Sequence, residues 1–459
     1  MSGNCRGIVV AGLSGGSGKS VAAVGLTACL RAAGERVVPF KKGPDYIDAG
    51  WLSQAAQHPC YNLDPFLMAP EDILASVARH TLDADIALVE GNRGLFDGVD
   101  AGGAYSTAEL AVQLGLPVLL VVNCSKTTRT VAAMVLGCRE FDQRLQIGGV
   151  VLNQIATARQ EKVIREAVER YTGIPVVGVL PRQKKDIFPM RHLGITPHQE
   201  AESAQAAIGQ LAGMVAQYFD IAAIRSLLAP VPQQAQSESR AVRQGPRVVI
   251  GILRDRAFQF YYEENLEALR EAGADLVLID ALNAAALPVG LDGLYIGGGF
   301  PETSARELAA NVSFRESVRN TAEQGLPIYA ECGGLIFLGR SIILDGSEYP
   351  LAGVFPVTFG MGKKPQAHGY SIFTADRDNP FYAPGTTIKG HEFRYSTVLQ
   401  WEGRAEDLAL RMERGTGFMD GRDGLMKNNV LALYTHVLAP GTPEWAEGIM
   451  GATKVYKER

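Results

Sequence analysis

Cysteine is scarce in this chain and scattered where it occurs. Its six cysteines, at positions 5, 29, 60, 124, 138 and 332, share no C-x-x-C spacing. Neither a zinc site nor a disulfide framework is suggested, and the protein is read as one of a reducing, cytoplasmic compartment. Long apolar runs are missing as well. None nears the roughly 18 residues that a membrane span needs. The opening MSGNCRGIVV has no charged n-region ahead of a long apolar core, so no signal peptide is expected. Positive charge is not in excess either. The formal net charge is −5, which argues against the basic face of a nucleic-acid binder. What remains is a globular composition, 47% apolar and 20% charged, over 459 residues. That length exceeds one ordinary core and suffices for two domains.

Short β-branched runs alternate with helix-length amphipathic stretches through the first half. GIVVAGL, RVVPF, DIALVEG, PVLLVVN, IGGVVLNQI and IPVVGVL are read as strands. Continuous apolar runs separated by helices predict a parallel sheet buried on both faces, hence an α/β fold. Residues 229–246, APVPQQAQSESRAVRQGP, break the pattern and read as a linker between domains at 1–228 and 247–459. A second series follows: RVVIGIL, DLVLID, GLYIGGG and LPIYAEC. LAGVFPV, YSIFTA, HEFRYSTVL and VLALYTHVL then suggest a partly antiparallel continuation.

GIVVAGLSGGSGKS puts a glycine-rich loop between the first strand and an apolar-periodic helix, the context of a P-loop. Backbone N–H groups around Gly15, Gly16 and Gly18 would hold phosphate oxygens. Lys19 would reach the β/γ phosphates, and the Ser20 hydroxyl would bind Mg²⁺. The spacing departs from the strict motif, with Gly12 one residue early and Leu13 where the first glycine belongs. Two acidic segments end later strands: KKGPDYIDAG carries Asp45 and Asp48, and VEGNRGLFDG carries Glu90 and Asp97. Loops beyond the carboxyl ends of strands gather at the ligand crevice of an open α/β sheet. Mg²⁺ takes hard oxygen ligands, usually one or two carboxylates with phosphate and water. Glu90 is the first choice, with Asp48 and Asp45 next.

LPIYAECGGL reads differently. An apolar strand stops at Glu331, presents Cys332 and turns through Gly333 and Gly334. This is the pattern of a nucleophile elbow, with the thiol exposed above the sheet. The N–H after the nucleophile, that of Gly333, can stabilise an oxyanion. YIGGGFPE ends the preceding strand, and the peptide of Gly298 or Gly299 would complete the hole. A cysteine nucleophile needs a base. His368, His391 and His436 are available in this half. His436, after a terminal apolar strand, is preferred, and His391 competes with it. RDRAFQFYYEENL, residues 254–266, reads equally as a ligand wall or domain contact and as a helix packing its aromatics into the core.

Taken in order, GLSGGSGKS, PFKKGPDYIDAGW, EGNRGLFDG, RDRAFQFYYEENLEAL, YIGGGFPE, AECGGL and GHEFRYS resemble the cobyrinic acid a,c-diamide synthase family. The resemblance runs from about residue 6 to residue 438. It implies a dethiobiotin-synthetase-like P-loop ATPase followed by a class I glutamine amidotransferase. Cys332 would form a thioester with glutamine and release ammonia. ATP and Mg²⁺ would activate an acetate carboxylate of a tetrapyrrole in cobalamin biosynthesis, near Asp45, Asp48, Glu90 and Asp97, and ammonia would displace phosphate. The implied partners are small molecules: a tetrapyrrole acid, glutamine and ATP. Nucleic acid and membrane are not among them, and the oligomeric state is open, a homodimer included. Three departures matter, two from the family pattern and one from a classical amidotransferase triad. Asn92-Arg93 and Arg394 leave hydrogenobyrinic acid or a nickel sirohydrochlorin as alternative substrates. Leu438 stands where a triad glutamate would follow His436, which implies slow glutamine hydrolysis. A partitioning-type ATPase, the alternative of another class, would carry a lysine where this chain has Ser14.

Overall fold

A computed structural model describes residues 5–183, 188, 190–191, 194–195, 197, 204–232 and 247–459. They divide into two compact units, residues 1–237 and 238–459.

In the first unit β1 (Arg6–Gly12), α1 (Lys19–Ala32), β2 (Val37–Lys42), α2 (Ile47–Ala56), β3 (Tyr61–Leu63), α3 (Pro70–His80) and β4 (Ile86–Glu90) alternate. They continue with α4 (Thr107–Leu114), β5 (Val118–Asn123), α5 (Thr130–Phe141), β6 (Ile147–Ile155), α6 (Ala158–Thr172) and β7 (Val176–Pro181). The two-residue strands β8 (Met190–Arg191) and β9 (Gly194–Ile195) precede α7 (Ala204–Tyr218), α8 (Ile221–Leu227) and β10 (Ala229–Pro230). The sheet order is β3-β2-β4-β1-β5-β6-β7, all parallel along that path. The six expected strands form its frame because their apolar runs are buried on both faces, as in β4, whose five residues are all buried. β3 escaped the sequence reading; three residues show no period. β10 runs antiparallel to the start of β1. Its two residues were expected to begin the linker but belong to the sheet, while residues 233–246 lie outside the described residues.

The second unit opens with β11 (Val248–Leu253), α9 (Glu263–Glu271), β12 (Ala274–Ile279) and β13 (Gly293–Ile296). Then come α10 (Ala305–Ala310), α11 (Val312–Glu323), β14 (Ile328–Glu331), α12 (Gly333–Leu338), β15 (Ser341–Leu344), β16 (Ser347–Pro350) and β17 (Val357–Met361). β18 (Ala367–Ala375), β19 (Thr387–Arg394), β20 (Ser396–Trp401), β21 (Leu408–Arg414), β22 (Arg422–Lys427), β23 (Val430–Leu433), β24 (His436–Val437) and α13 (Pro443–Lys457) complete it. The main sheet runs β12-β11-β13-β14-β23-β22-β21-β18-β19-β24, and a smaller one runs β16-β15-β17-β20. Its first five strands are parallel and the remainder antiparallel.

Four expectations need correction. HEFRYSTVL is not one strand: it divides at Tyr395 between β19 of the main sheet and β20 of the smaller one. LAGVFPV is a strand only from Val357, because Gly353 takes a φ of 71° and Pro356 cannot donate to a ladder. VLALYTHVL breaks into β23 and β24. The buried Asp423 carboxylate accepts the N–H groups of Tyr434 and Thr435 and draws them out of the ladder. The aromatic run after Arg254 is a loop rather than a helix up to Tyr262, and α9 starts at Glu263. Phe258 and Tyr262 are buried, and the Tyr261 hydroxyl donates to the Leu253 carbonyl while accepting from the Gly297 N–H at 2.8 Å.

α1 and α7 cross at Gly25. A Cβ there would sit 2.7 Å from Val215 Cγ2 and 3.0 Å from the Leu211 carbonyl oxygen. Overpacking a helix crossing costs about 1–3 kcal/mol. Gly25→Leu is therefore expected to lower the urea midpoint of the first unit by that equivalent with little change of slope. An unchanged midpoint would show that this crossing is not a close one.

Candidate functional site

β1 delivers the chain into the glycine-rich loop, and α1 begins at Lys19. Gly18 caps the helix at a φ of 94°, and a Cβ on it would collide with the Asn153 side chain. Asn153 in turn donates from Nδ2 to the Ser17 carbonyl at 2.8 Å. Asn153 thus fixes the loop from the far side, a role that only the β5–β6 pairing reveals. Gly15 and Gly16 have open space where a Cβ would point, and Lys19 is buried.

Beside the loop, Ser20 Oγ donates to Glu90 Oε1 at 2.6 Å and lies 3.3 Å from Asp48 Oδ2. The metal set proposed from sequence is thereby brought together. At its centre stands a residue the sequence reading did not select. Lys41, at the end of β2, has no exposed side-chain surface. Its Nζ lies 2.6 Å from Asp48, 3.3 Å from Glu90 and 3.8 Å from Asp45, and it donates to the Gly91 carbonyl at 3.2 Å. A lysine within a β-strand reads as solvated; its pairing with Glu90 across parallel strands is a tertiary fact.

Burial opposes the Lys41 charge, but the three carboxylates outweigh it and hold the pKa above the usual range. The acids part company. Burial and the Asp48 charge push Asp45 up to about 6. Burial raises Glu90 to about 7 against the pull of Lys41. Burial acts on Asp48 too, yet the direct Lys41 contact prevails and lowers it. Glu90 Oε2 is buried with no hydrogen-bond partner, as expected of an oxygen reserved for a cation. Among the described residues no three His, Cys, Asp or Glu side chains form a ready-made metal cage. Asp97 is not part of this cluster. It is exposed, and its carboxylate accepts the Gly94 N–H at 2.9 Å within its own turn.

In the second unit, Cys332 follows β14 at φ 45°, ψ −95° and caps α12. A non-glycine residue held at positive φ is strained, and such strain gathers at functional sites. The cysteine itself, not the glycines after it, makes the unusual turn. The glycines serve close approach: a Cβ on Gly333 would lie 2.9 Å from the Gly299 nitrogen, and one on Gly334 2.5 Å from the Ile296 carbonyl. Gly298 is bare for the same reason, since a Cβ there would strike the His436 ring. Gly298, Gly299 and Gly333 therefore converge around Cys332 and His436.

His436 is buried and hydrogen-bonded to Cys332. Its Nδ1 lies 3.5 Å from Glu331 Oε2. Burial lowers its pKa, but the bonds to Cys332 and Glu331 dominate and push it up to about 10. A carboxylate does face this histidine, from the residue before the nucleophile rather than from position 438. His391 lies opposite His436 in the β19–β24 register, its ring stacked on that of His436 at 4.9 Å and 21°. Burial and the His436 charge drive its pKa well down, and the Tyr262 hydroxyl meets its Nδ1 at 3.2 Å. His391 is a neutral neighbour of His436. Arg394 bonds the Ser396 and Gly417 carbonyls, with its guanidinium 3.8 Å over the Tyr434 ring; its place is in the scaffold.

Residues 8–193 match the CobQ/CobB/MinD/ParA nucleotide binding domain, and residues 249–443 the CobB/CobQ-like glutamine amidotransferase domain. The class is a nucleotide-binding domain joined to a glutamine amidotransferase. The cobyrinate a,c-diamide synthase of Magnetococcus marinus is 43% identical over 437 residues, 94% of this chain and 93% of that protein. Enzymes of the same name from Dehalococcoides mccartyi and Archaeoglobus fulgidus are 38% and 37% identical, covering 97% and 94% of this chain and 98% and 93% of their own. The chain belongs to the cobyrinate a,c-diamide synthase family. It is an enzyme, a glutamine-hydrolysing ligase. Among the described residues no helix is long and apolar enough to cross a membrane.

The His436 pKa has a consequence for stability. A group whose pKa rises from 6.5 to about 10 on folding contributes fully below pH 6.5 and loses that contribution as pH climbs through 10. The melting-temperature gap between wild type and His436→Gln is expected to be widest at pH 6 and to narrow toward pH 10. Calorimetry across that range checks it, and a gap that widens with pH would refute the raised value.

Proposed function

We propose that this enzyme amidates the a and c acetate carboxylates of cobyrinic acid, with ATP and glutamine as co-substrates. The observation that carries the reading is the presence, in one chain 43% identical to a named cobyrinate a,c-diamide synthase, of two sites with complementary chemistry. One gathers a phosphate loop, Lys19, Ser20 and carboxylates. The other gathers a strained cysteine, a buried histidine hydrogen-bonded to it and three closely packed glycines.

In the first unit, the loop around Gly15, Gly16 and Gly18 receives the triphosphate and Lys19 its β/γ oxygens. Ser20 and Glu90, with Asp48, would hold Mg²⁺, which when bound neutralises the phosphate charge that develops during transfer. The substrate carboxylate oxygen attacks the γ-phosphorus, ADP departs, and an acyl phosphate forms. Lys41, buried among these carboxylates at the end of β2, would hold Asp48 and Glu90 in place for the cation. Asp45, which burial raises to about 6, lies at the same end. Asp97 is exposed and is placed to meet solvent or substrate outside this cluster.

In the second unit, the Cys332 sulfur adds to the glutamine amide carbon. The oxyanion is received by N–H groups at Gly333 and at Gly298 or Gly299. His436, held protonated, gives its proton to the leaving ammonia, then takes one from the water that hydrolyses the thioester to glutamate. Ammonia displaces phosphate from the acyl phosphate, and the amide results. The reading places the enzyme in the cytoplasm, where ATP and glutamine are supplied and thiols stay reduced.

Lys19→Ala is expected to abolish ATP-dependent amidation. Cys332→Ala, a small loss of volume, should lower glutamine-dependent amidation by about 10³-fold or more. With high ammonium salt at mildly alkaline pH it should recover most activity. Mass spectra of the wild-type reaction on cobyrinic acid should show a mono-amide that rises and falls before the diamide. Equal loss with both nitrogen sources in Cys332→Ala would overturn the two-site reading.

A further inference from the structure

Glu331 occupies an improbable place. It is the last residue of β14, fully buried, on a strand whose other residues are apolar. Side chains alternate along a strand, so Glu331 shares a face with Tyr329. That face packs into a cluster of Tyr295, Tyr329 and Trp445, with ring centroids 5.2–6.0 Å apart. A carboxylate buried among aromatic rings is strongly destabilising unless it is paired and hydrogen-bonded. A leucine would pack there without that penalty.

The partners of Glu331 explain its presence. Oε2 lies 3.5 Å from His436 Nδ1 and accepts from the Tyr295 hydroxyl at 3.2 Å. Oε1 accepts the backbone N–H of Val437 at 3.3 Å. One carboxylate thus faces the imidazole at 3.5 Å and accepts from the peptide beside it, and is itself held by a tyrosine from β13. With Nδ1 turned to Glu331, Nε2 is the nitrogen left for the thiol. His391 stacks on the ring face, so the imidazole is constrained in plane and in rotation. The position two residues after the histidine holds Leu438, which is buried and apolar.

We propose that Glu331 is the positioning carboxylate of the Cys332–His436 pair, fixing the tautomer and orientation of the base from the residue preceding the nucleophile. This rests on the reading that the pair cleaves glutamine. Glu331 touches neither glutamine nor the sulfur's reaction partner; it acts through His436. The geometry follows from the strained elbow. Because Cys332 leaves the strand at positive φ, sulfur and carboxylate, one residue apart, both reach the same histidine.

The test compares full-length wild type, Glu331→Gln, Glu331→Asp and Cys332→Ala in steady-state glutamine hydrolysis and in ammonia-dependent amidation. Glu331→Gln removes the charge but keeps the shape. Its kcat for glutamine hydrolysis is expected to fall about 10²-fold, with KM for glutamine changed less than about threefold, as for loss of oriented acid–base catalysis. Ammonia-dependent amidation should stay at the wild-type rate. Glu331→Asp, which keeps the charge, should recover at least about tenfold of the lost kcat, and serves alone should the glutamine variant not fold. Wild-type kcat in Glu331→Gln, or a parallel fall of the ammonia-dependent rate in both variants, overturns the proposal. Glutamine hydrolysis that survives in Cys332→Ala overturns the reading of the site itself, a result distinct from normal hydrolysis in Glu331→Gln alone.

Discussion

Both half-sites hang on the register of parallel strands. Val10 pairs with Glu90, and Glu90 with Lys41. That single row aligns the end of the phosphate-loop strand with the acidic cluster. In the second unit Ile296 pairs with Ala330, and Ala330 with Ala432, so the glycine loop, the cysteine and the approach to His436 emerge side by side. A parallel sheet covered on both faces admits only apolar side chains along its length. Its carboxyl ends, where ladders stop and helices begin, are where polar chemistry finds room.

The same constraint explains why charges in both units come in closed sets. A charge buried at a strand end has lost water and must be paired. Lys41 answers Asp48, Glu90 and Asp45, and His436 answers Glu331 and Cys332. Each set also sorts its members. Contact with Lys41 lowers Asp48, while burial leaves Glu90 raised to about 7. In the second unit His436 is raised and its stacked neighbour His391 depressed. Two histidines with rings 4.9 Å apart cannot both carry charge in a dry site, and the one with carboxylate and sulfur partners keeps it.

Strain is placed where packing can sustain it. Cys332 at positive φ is locked by its N–H to the Leu433 carbonyl at 2.8 Å and by its carbonyl accepting from Ile336 at 3.0 Å. The glycines before and after it remove the collisions that would relax this turn. Asp423, raised to about 7 by burial and by Glu392, holds the peptides of Tyr434 and Thr435 and so sets where His436 re-enters the sheet.

The sequence alone determined the elements that depend on local pattern. Apolar runs marked the parallel strands; glycine, lysine and serine at a strand-to-helix turn marked the phosphate loop; a cysteine before paired glycines marked the elbow. Each is legible because its physical requirement is met within about ten residues. Tertiary structure decided what depends on distant partners. It put Lys41 among the carboxylates, Asn153 behind the loop, Asp97 outside the cluster and Arg394 in the scaffold. It also set His436 against Cys332 with His391 stacked on its ring, and gave His436 a carboxylate from a residue more than a hundred positions away along the chain. Such contacts follow from which strand lies beside which and in what register, and that is settled by the burial of whole faces rather than by any short stretch of residues.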